Sequence, residues 1–250
     1  MRRWSSRIMA SRIVSELNYA EKNRRYEQQT AWSAELRQFI YKQLPQGKLK
    51  ILEVGCGTGA VLRCVEREIP DRVRLLCGVD IDPEALRFAS ENGCGNLSAA
   101  FGEALPFPEN SFDLVLCHYL LLWVKDPVDV LKEMRRVTRT GGITAALAEP
   151  CYAEMTAAPA ELGELAKKQR EALICQGIDP EAGRKLAAEF QAAGFPNAVQ
   201  NRYREKELST AEIKREIDRM LADSLTDFFP FHENLRYDYS VPTYFTIVRK

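Results

Sequence analysis

The sequence predicts an α/β fold with a doubly wound, largely parallel sheet, and three observations support this. From about residue 47 to residue 150, short apolar runs alternate with amphipathic helical segments, a pattern typical of βαβ units. A glycine-rich turn joins the first strand to the helix that follows it. Two later strands flank one helix near the C terminus, which favours antiparallel closure of a sheet edge over a second domain.

The first part of the chain contains four predicted strands, each a short apolar run: Leu49–Val54, Val73–Val79, Phe112–Cys117 and Ile143–Ala148. Helices are predicted at residues 30–43, at Thr58–Glu68 and after two Asp-Pro pairs, Asp82-Pro83 and Asp126-Pro127. Each pair combines an N-cap with a proline at the first helical position. We expect Gly141-Gly142 to end the helix that Asp126 begins.

After residue 150 the pattern becomes more helical. Helices are predicted at residues 160–175 and from Asp179 to about Gly194. A capping box, Ser209 to Glu212, begins a third. Strands are predicted at Ala198–Tyr203 and Thr243–Val248.

Composition narrows the classes of function. Lys plus Arg and Asp plus Glu balance at 35 each, so we expect no basic face for nucleic acid. No run approaches the roughly 18 apolar residues of a membrane span. The seven scattered cysteines contain no Cys-x-x-Cys pair, so we expect no metal site, mostly buried thiols and a cytoplasmic location. Arginines among serines in residues 1–15 leave organellar import open.

The most informative segment is the turn after the first strand, Ile51-Leu-Glu-Val-Gly-Cys-Gly-Thr-Gly59. Gly55, Gly57 and Gly59 alternate and a helix begins at once, so free backbone N–H groups can face a polar ligand. The spacing differs from the dinucleotide fingerprint G-x-G-x-x-G, and the Gly-Lys-Ser/Thr ending of a Walker loop is missing.

An acidic residue ends the second strand, about twenty residues beyond the glycine turn. Asp80 at this place can accept hydrogen bonds from two ribose hydroxyls. Asp82 is the alternative, but helix capping before Pro83 already accounts for it. We therefore favour Asp80 as the ribose ligand.

With these residues the chain resembles class I S-adenosylmethionine-dependent methyltransferases, whose first motif reads E/D-x-G-x-G-x-G and here begins at Glu53. The resemblance continues through Leu105-Pro-Phe-Pro-Glu-Asn-Ser-Phe-Asp-Leu-Val-Leu-Cys-His118 and through Asp126-Pro-Val-Asp-Val-Leu-Lys-Glu-Met-Arg-Arg-Val137. The pattern is similar to that of the small-molecule methyltransferases of ubiquinone and menaquinone biosynthesis, and the resemblance covers about residues 47–152.

The resemblance implies a seven-stranded sheet, mostly parallel with an antiparallel C-terminal edge strand, together with N-terminal helices and a helical insertion as a cap. We expect one methyltransferase domain over residues 1–250. Its parts are an N-terminal helical segment (residues 1–46), a cofactor-binding core (residues 47–150), the helical cap (residues 151–195) and a C-terminal segment of strands and a helix (residues 196–250). The implied cofactor is S-adenosyl-L-methionine, with S-adenosyl-L-homocysteine as product, and a homodimer stays open.

The same resemblance implies the cofactor contacts. Gly55 and Gly57 would line the methionine part, and Glu53 would orient the loop or meet the amino group. The other expected contacts are Cys56, Gly59, Asp80, Ile81, Gly102, Glu103, His118 and Tyr26.

Phe101 departs from the family pattern, because an acid that touches the adenine amino group usually stands there. Either Glu103 substitutes for that acid, or the adenine is held by stacking and by backbone N–H groups such as that of Gly102.

The candidate catalytic residues follow the fourth and fifth strands. His118 is the first choice as a base, because its charge can switch near neutral pH; the alternative is that it packs beside the cofactor. Tyr119 and Glu149 are the further candidates. Tyr26, or an aromatic cluster of Phe228, Phe229 and Phe231, could close over the cofactor or belong to the core.

The sequence thus predicts S-adenosylmethionine-dependent methyl transfer to a small-molecule acceptor by in-line displacement. Nucleic-acid amino-methyltransferases carry Asp/Asn-Pro-Pro-Tyr after the fourth strand, where this chain has Cys-His-Tyr-Leu. The glycine spacing disfavours a nucleotide-dependent oxidoreductase. A non-catalytic methyltransferase-like subunit that binds cofactor or a partner stays open as the alternative.

Overall fold

The computed structural model describes residues 18–203, 209–224, 229–232 and 235–250. Its helices are α1 (Tyr19–Trp32), α2 (Ala34–Gln43), α3 (Ala60–Glu68), α4 (Pro83–Glu91), α5 (Pro127–Val137), α6 (Ala160–Cys175), α7 (Ala182–Ala192) and α8 (Thr210–Ser224). Its strands are β1 (Leu49–Val54), β2 (Val73–Asp80), β3 (Leu97–Ala99), β4 (Phe112–His118), β5 (Thr138–Pro150), β6 (Thr156–Ala158), β7 (Asn201–Arg202), β8 (Asp238–Ser240) and β9 (Thr243–Arg249). Residues 1–15 and Phe228, on which two of the expectations above depend, lie outside the described residues.

The main sheet has seven strands in the order β3-β2-β1-β4-β5-β9-β7. The five strands from β3 to β5 pair in parallel, and β9 pairs antiparallel with both β5 and β7. This confirms the predicted mostly parallel sheet with antiparallel closure. The antiparallel strand β9 lies one position inside the edge, because the short strand β7 covers its outer side.

The predicted helix starts are confirmed by their hydrogen bonds. The Asp82 side chain accepts from the backbone N–H of Glu84 and Ala85, with Pro83 as the first residue of α4. Asp126 caps α5 in the same way. At α8 the Glu212 carboxylate accepts from the Ser209 N–H at 2.9 Å, as a capping box requires. These local signals fix where the helices enter the sheet layers.

Four expectations need correction. Residues 30–43, predicted as one helix, contain the end of α1 and the whole of α2, which meet at Ser33. Gly141-Gly142 does not end α5, which stops at Val137; both glycines lie within β5, where the pairing with β4 shifts register. The strand predicted at Ala198–Tyr203 is reduced to two residues. The short strands β3, β6 and β8 were not predicted, because they are only three residues long.

The core lies on both faces of the sheet. Alternate residues of β1 face opposite sides, so Leu52 and Val54 pack with α5 and α7 while Leu49 and Ile51 pack with α2 and α3. A third cluster, called the cap below, is formed by α6, α8 and residues near the C terminus. Phe229 and Phe231 pack there beside Tyr237, so they belong to the cap core. Of the predicted cap segment, residues 151–195, α7 packs in the core of the main sheet instead.

Six of the seven cysteines are buried, as expected for core thiols, and Cys175 is exposed. Among the described residues, no helix is both long enough and apolar enough to cross a membrane.

Candidate active site

The glycine turn connects β1 to α3 at the carboxyl edge of the parallel strands. The N–H groups of Gly55 and Cys56 donate to the Val79 carbonyl oxygen at 2.7 and 3.0 Å, which ties the turn to β2. Gly59 is the N-cap of α3 with φ +78°, and a Cβ there would lie 2.4 Å from Cys94 Sγ. Packing and backbone conformation therefore both require glycine at this position. The buried Cys56 side chain packs into the cluster with Cys94, so only its backbone can face a ligand.

Asp80 is held in a fixed orientation at the end of β2. Its two carboxylate oxygens accept from the Gly57 N–H at 2.7 Å and from the Asp82 N–H at 2.9 Å. A carboxylate has about four lone-pair sites, so Asp80 keeps acceptor capacity toward the cleft. Burial raises the pKa of Asp80, and these two backbone hydrogen bonds oppose the rise.

Asp82 is already engaged on both sides. One oxygen caps α4, and the other accepts from the Tyr19 hydroxyl at 2.9 Å. Both carboxylates are therefore engaged within the chain, and Asp80 differs in that one of its partners is the N–H of Gly57 in the glycine turn.

Glu53 is a buried acid beneath the turn, only 2% exposed. Its Oε2 atom has no hydrogen-bond partner among the described residues. Burial, and then the nearby Asp80 carboxylate, raise the pKa of Glu53 well above its ordinary value. An unpaired buried polar atom costs free energy, so a hydrogen-bond partner that reached Oε2 would stabilise this group.

A cleft of about 100 Å³ lies between the glycine turn and α1. It is lined by Tyr19, Lys22, Tyr26, Gly57, Thr58, Asp80, Asp82 and Ala85. A Cβ on Gly57 would lie 3.4 Å from the Tyr26 ring, so Tyr26 covers the turn directly. The polar groups of the cleft suit a nucleoside cofactor. Ligand pockets usually have volumes of about 300–1,000 Å³, so the α1 side chains must move to admit a cofactor to this smaller cleft.

Two exposed apolar side chains follow the ends of the neighbouring strands β2 and β3. Ile81 follows Asp80 and is 61% exposed, and Phe101 is 51% exposed. The Ala100 N–H donates to the Asp80 carbonyl oxygen at 3.0 Å, which brings the two segments side by side. Gly102 is half-buried against Val130, while Glu103 is exposed.

His118 lies at the end of β4, where it meets residues that the sequence did not single out. Its Nε2 atom is 3.2 Å from Ser33 Oγ, and Ser33 Oγ accepts from Arg37 Nη1 at 2.9 Å. Arg37 is 1% exposed and makes two hydrogen bonds to Glu68, of 3.0 and 2.6 Å. Burial, with the Arg37 cation as second cause, lowers the pKa of His118 to about 3. The imidazole is therefore neutral at physiological pH and a weak base.

Glu149 is completely buried at the end of β5. Its oxygens accept from three successive backbone N–H groups, at 2.9, 3.1 and 3.3 Å, from Leu120, Leu121 and Leu122. Burial raises its pKa to about 7 against these hydrogen bonds. Glu149 thus holds the loop after β4 in place. Tyr119, at the start of that loop, has φ +54°, uncommon for a residue with a side chain.

The cap is joined to α1 by a second group of charged residues that the sequence analysis missed. Arg219 of α8 pairs with Glu216, and Asp223 lies 3.9 Å from Arg25 of α1. Gln169 of α6 donates to Asp223 at 2.8 Å. No local sequence signal identifies these contacts, because they join segments far apart in the chain.

Comparisons with known proteins agree with this geometry. A family model described as a methyltransferase domain matches residues 52–146. The match covers less than half of the chain. An uncharacterized methyltransferase of Schizosaccharomyces pombe is 30% identical over 149 residues, 55% of this chain and 53% of that protein. A demethylmenaquinone methyltransferase of Geobacillus stearothermophilus is 36% identical over 104 residues, 39% of this chain and 44% of that protein.

The chain spans about half the length of the curated relatives it matches, or less. Solved structures are similar in fold over most of this chain. The YcgJ protein of Bacillus subtilis has a TM-score of 0.57 at 19% identity, covering 86% of this chain and 96% of its own. A putative methyltransferase of Bacillus halodurans has a TM-score of 0.54 at 16% identity, covering 86% and 95%. The fold is that of class I methyltransferases, as the resemblance implied.

Proposed function

We propose that this methyltransferase uses S-adenosyl-L-methionine to methylate a small-molecule acceptor. The single observation that carries the proposal is Asp80, whose carboxylate is fixed by the Gly57 N–H at 2.7 Å and faces the cleft beside the glycine turn. A sulfonium cofactor supplies an activated methyl group and a neutral leaving group, so the protein has to supply alignment and a dry site.

The proposed ribose and methionine contacts follow from the polar groups of the cleft. Asp80 would accept from the ribose hydroxyls with its remaining lone pairs. Gly55 and Gly57 would let the backbone approach the methionine part, and the unpaired Oε2 of Glu53 would accept from the amino group directly or through water. Of Cys56, the backbone alone would take part, because its side chain is buried in the core.

For the adenine we propose an apolar sandwich in place of an acidic contact. Ile81 and Phe101 are exposed apolar side chains after the ends of β2 and β3, and aromatic contacts contribute about 0.5–1.5 kcal/mol beyond area burial. Backbone N–H groups near Gly102 would serve the ring nitrogens. Glu103 would remain an outer contact, since it is exposed.

Tyr26 would close over the bound cofactor from α1, because its ring already covers Gly57. On the acceptor side, His118 and Tyr119 would contact the acceptor at the carboxyl end of β4. Glu149 would act as a positioning residue, since its carboxylate holds the backbone of the loop that carries Tyr119. The cap helices α6 and α8 would enclose a small molecule.

The names of two relatives support a small acceptor. One is a demethylmenaquinone methyltransferase, and another is a human thiol S-methyltransferase, 35% identical over 106 residues that make up 39% of this chain and 41% of that protein. We propose an acceptor of comparable size for this chain, bound within one domain that spans residues 1–250.

The test is calorimetric titration of the full chain with S-adenosylhomocysteine, with NADH as the control ligand. Binding of S-adenosylhomocysteine alone supports the proposal and justifies a screen of acceptors with a labelled methyl donor. Binding of NADH, or of neither ligand, contradicts it. Binding of S-adenosylhomocysteine without turnover on any acceptor class would instead indicate a non-catalytic cofactor-binding subunit.

A further inference from the structure

Ser33 stands between a buried cation and the candidate catalytic histidine. Its Oγ atom accepts from Arg37 Nη1 at 2.9 Å, and it lies 3.2 Å both from the Thr30 carbonyl oxygen and from His118 Nε2. A serine hydroxyl has one proton to donate. Whichever neighbour receives that proton decides which nitrogen of His118 carries a hydrogen.

The Thr30 carbonyl is already supplied with donors. It accepts from Arg37 Nη1 at 2.7 Å and from the Ser33 backbone N–H at 3.3 Å, which uses the two lone pairs of a carbonyl oxygen. His118 Nε2 has no other donor than Ser33 in the described part of the chain. Satisfaction of the polar groups therefore favours donation from Ser33 to Nε2.

The charge of Arg37 favours the same direction. A cation that donates to Ser33 Oγ polarises the O–H bond and makes the hydroxyl a better donor, so the bonds Arg37 to Ser33 to His118 reinforce each other. The opposite arrangement would point an N–H dipole at the positive guanidinium. Arg37 is the charged group that faces His118, and its own partner Glu68 holds the other two guanidinium nitrogens.

We infer that Ser33 and Arg37 are positioning residues that hold His118 as the Nδ1–H tautomer, so that His118 offers a hydrogen-bond donor to an acceptor substrate that binds as an anion. This inference rests on the proposed function for the identity of the site, and it changes the role of His118 from the base expected from sequence to a donor. The Nδ1 atom has no hydrogen-bond partner among the described residues, and His118 keeps part of its surface exposed, so Nδ1 is available to a ligand.

The chemistry then limits the acceptor class. An imidazole that carries its hydrogen on Nδ1 and whose Nε2 accepts from Ser33 has no free lone pair with which to remove a proton, so the proton of the acceptor must leave to solvent before methyl transfer. Thiols ionise near pH 8.5 and phenols near pH 10 on ordinary scales, so both reach the anion to a useful extent. We therefore infer a thiolate or phenolate acceptor, whose sulfur or oxygen accepts from Nδ1–H.

The tautomer can be measured without cofactor or acceptor. The chain has two histidines, so the H232N variant leaves His118 as the one imidazole for long-range ¹H–¹⁵N NMR. We expect a protonated Nδ1 and an unprotonated Nε2 with no titration between about pH 5 and 8. A protonated Nε2, or titration near pH 6.5, would overturn the inference.

Matched variants separate positioning from general structure. Ser33→Ala should move the His118 signals toward the Nε2–H tautomer, and Ser33→Thr, which keeps the hydroxyl, should restore the original pattern. Tyr41→Phe removes only a hydroxyl that donates to Glu68 at 2.9 Å, so it should leave the tautomer unchanged. If Tyr41→Phe shifted the signals as much as Ser33→Ala, the effect would be a general loosening and the inference would fail.

Turnover decides the acceptor class, with 4-nitrothiophenol and benzyl alcohol as probes. His118→Asn keeps an N–H near the Nδ1 position but cannot act as a base, whereas His118→Leu has neither property. We expect methylation of the thiol alone, with His118→Leu lowered about 10- to 100-fold and His118→Asn within about tenfold of wild type. Equal loss in both variants, or methylation of the alcohol, would overturn the donor role. If S-adenosylhomocysteine does not bind at all, the proposed function fails, while the NMR result still decides the tautomer.

Discussion

The isosteric replacement of Asp80 by asparagine tests the proposed cofactor site most directly. Asp80 accepts from the Gly57 and Asp82 N–H groups at 2.7 and 2.9 Å and would use its remaining lone pairs for two ribose hydroxyls. Asparagine removes the charge and places an NH₂ group where one oxygen accepted. One of the two backbone donors then loses its partner, and one ribose hydroxyl loses a charged acceptor.

The expected magnitude follows from these contacts. Hydrogen bonds to charged groups contribute about 1.5–3 kcal/mol, so Asp80→Asn should weaken S-adenosylhomocysteine about 10- to 100-fold. The control is Asp82→Asn, the same chemical change two residues away. Asparagine is as good an N-cap as aspartate, so this variant should keep the start of α4 and change affinity by less than about threefold.

Calorimetric titration of both variants, with urea unfolding to check that each is folded, provides the assay. Equal loss of affinity in the two variants would refute the assignment of Asp80 as the ribose ligand. Unchanged affinity in both would refute the placement of the cofactor in this cleft.

Three further predictions concern the neighbouring residues. Burial raises the pKa of Glu149 to about 7, so between about pH 4.5 and 7 the folded chain retains a proton that the unfolded chain releases, and stability falls as the pH rises through this range. In urea unfolding, the difference in the free energy of unfolding between about pH 5 and 8 should be smaller for Glu149→Gln than for wild type. An equal difference would contradict this. Gly59→Ala should lower the free energy of unfolding by about 2–4 kcal/mol, because of left-handed backbone strain and overpacking against Cys94 Sγ. In urea unfolding, the double variant with Cys94→Ala should lose less stability than the sum of the two single variants, and a loss equal to that sum would contradict the clash. Phe101→Ala should weaken the binding of S-adenosylhomocysteine by about 0.5–1.5 kcal/mol in calorimetry, while the free energy of unfolding stays within about 0.5 kcal/mol of wild type. Unchanged affinity would exclude the adenine contact.

Local signals predicted the elements that carry the proposed cofactor contacts. The alternating glycines, the acid at the end of β2 and the Asp-Pro helix starts each depend on a few neighbouring residues, and the structure confirms the elements that carry them. The contact between Ser33 and His118 joins residues 85 positions apart, and no pattern near either one announces it. Glu149 was placed at the correct strand end, but sequence could not reveal that three backbone N–H groups occupy its carboxylate.

The break between α1 and α2 shows why the acceptor side was harder to predict. Serine is compatible with a continuous helix, so the periodicity of residues 30–43 suggested one helix. The helix is interrupted at Ser33, whose side chain contacts Thr30, Arg37 and His118, and contacts with residues as distant in the sequence as His118 leave no signal in the local pattern.

The cofactor side and the acceptor side of the proposed site are built largely from different parts of the chain. The glycine turn, Asp80 and His118 lie within residues 52–146, the part that matches the methyltransferase family. Ser33 and Arg37 precede that part, and the Glu149 carboxylate and the charged residues of α8 follow it. Relatives whose names state different acceptors align with less than half of this chain. We propose that the choice of acceptor depends on the segments that orient His118 and build the cap, since these lie outside the residues that match the family.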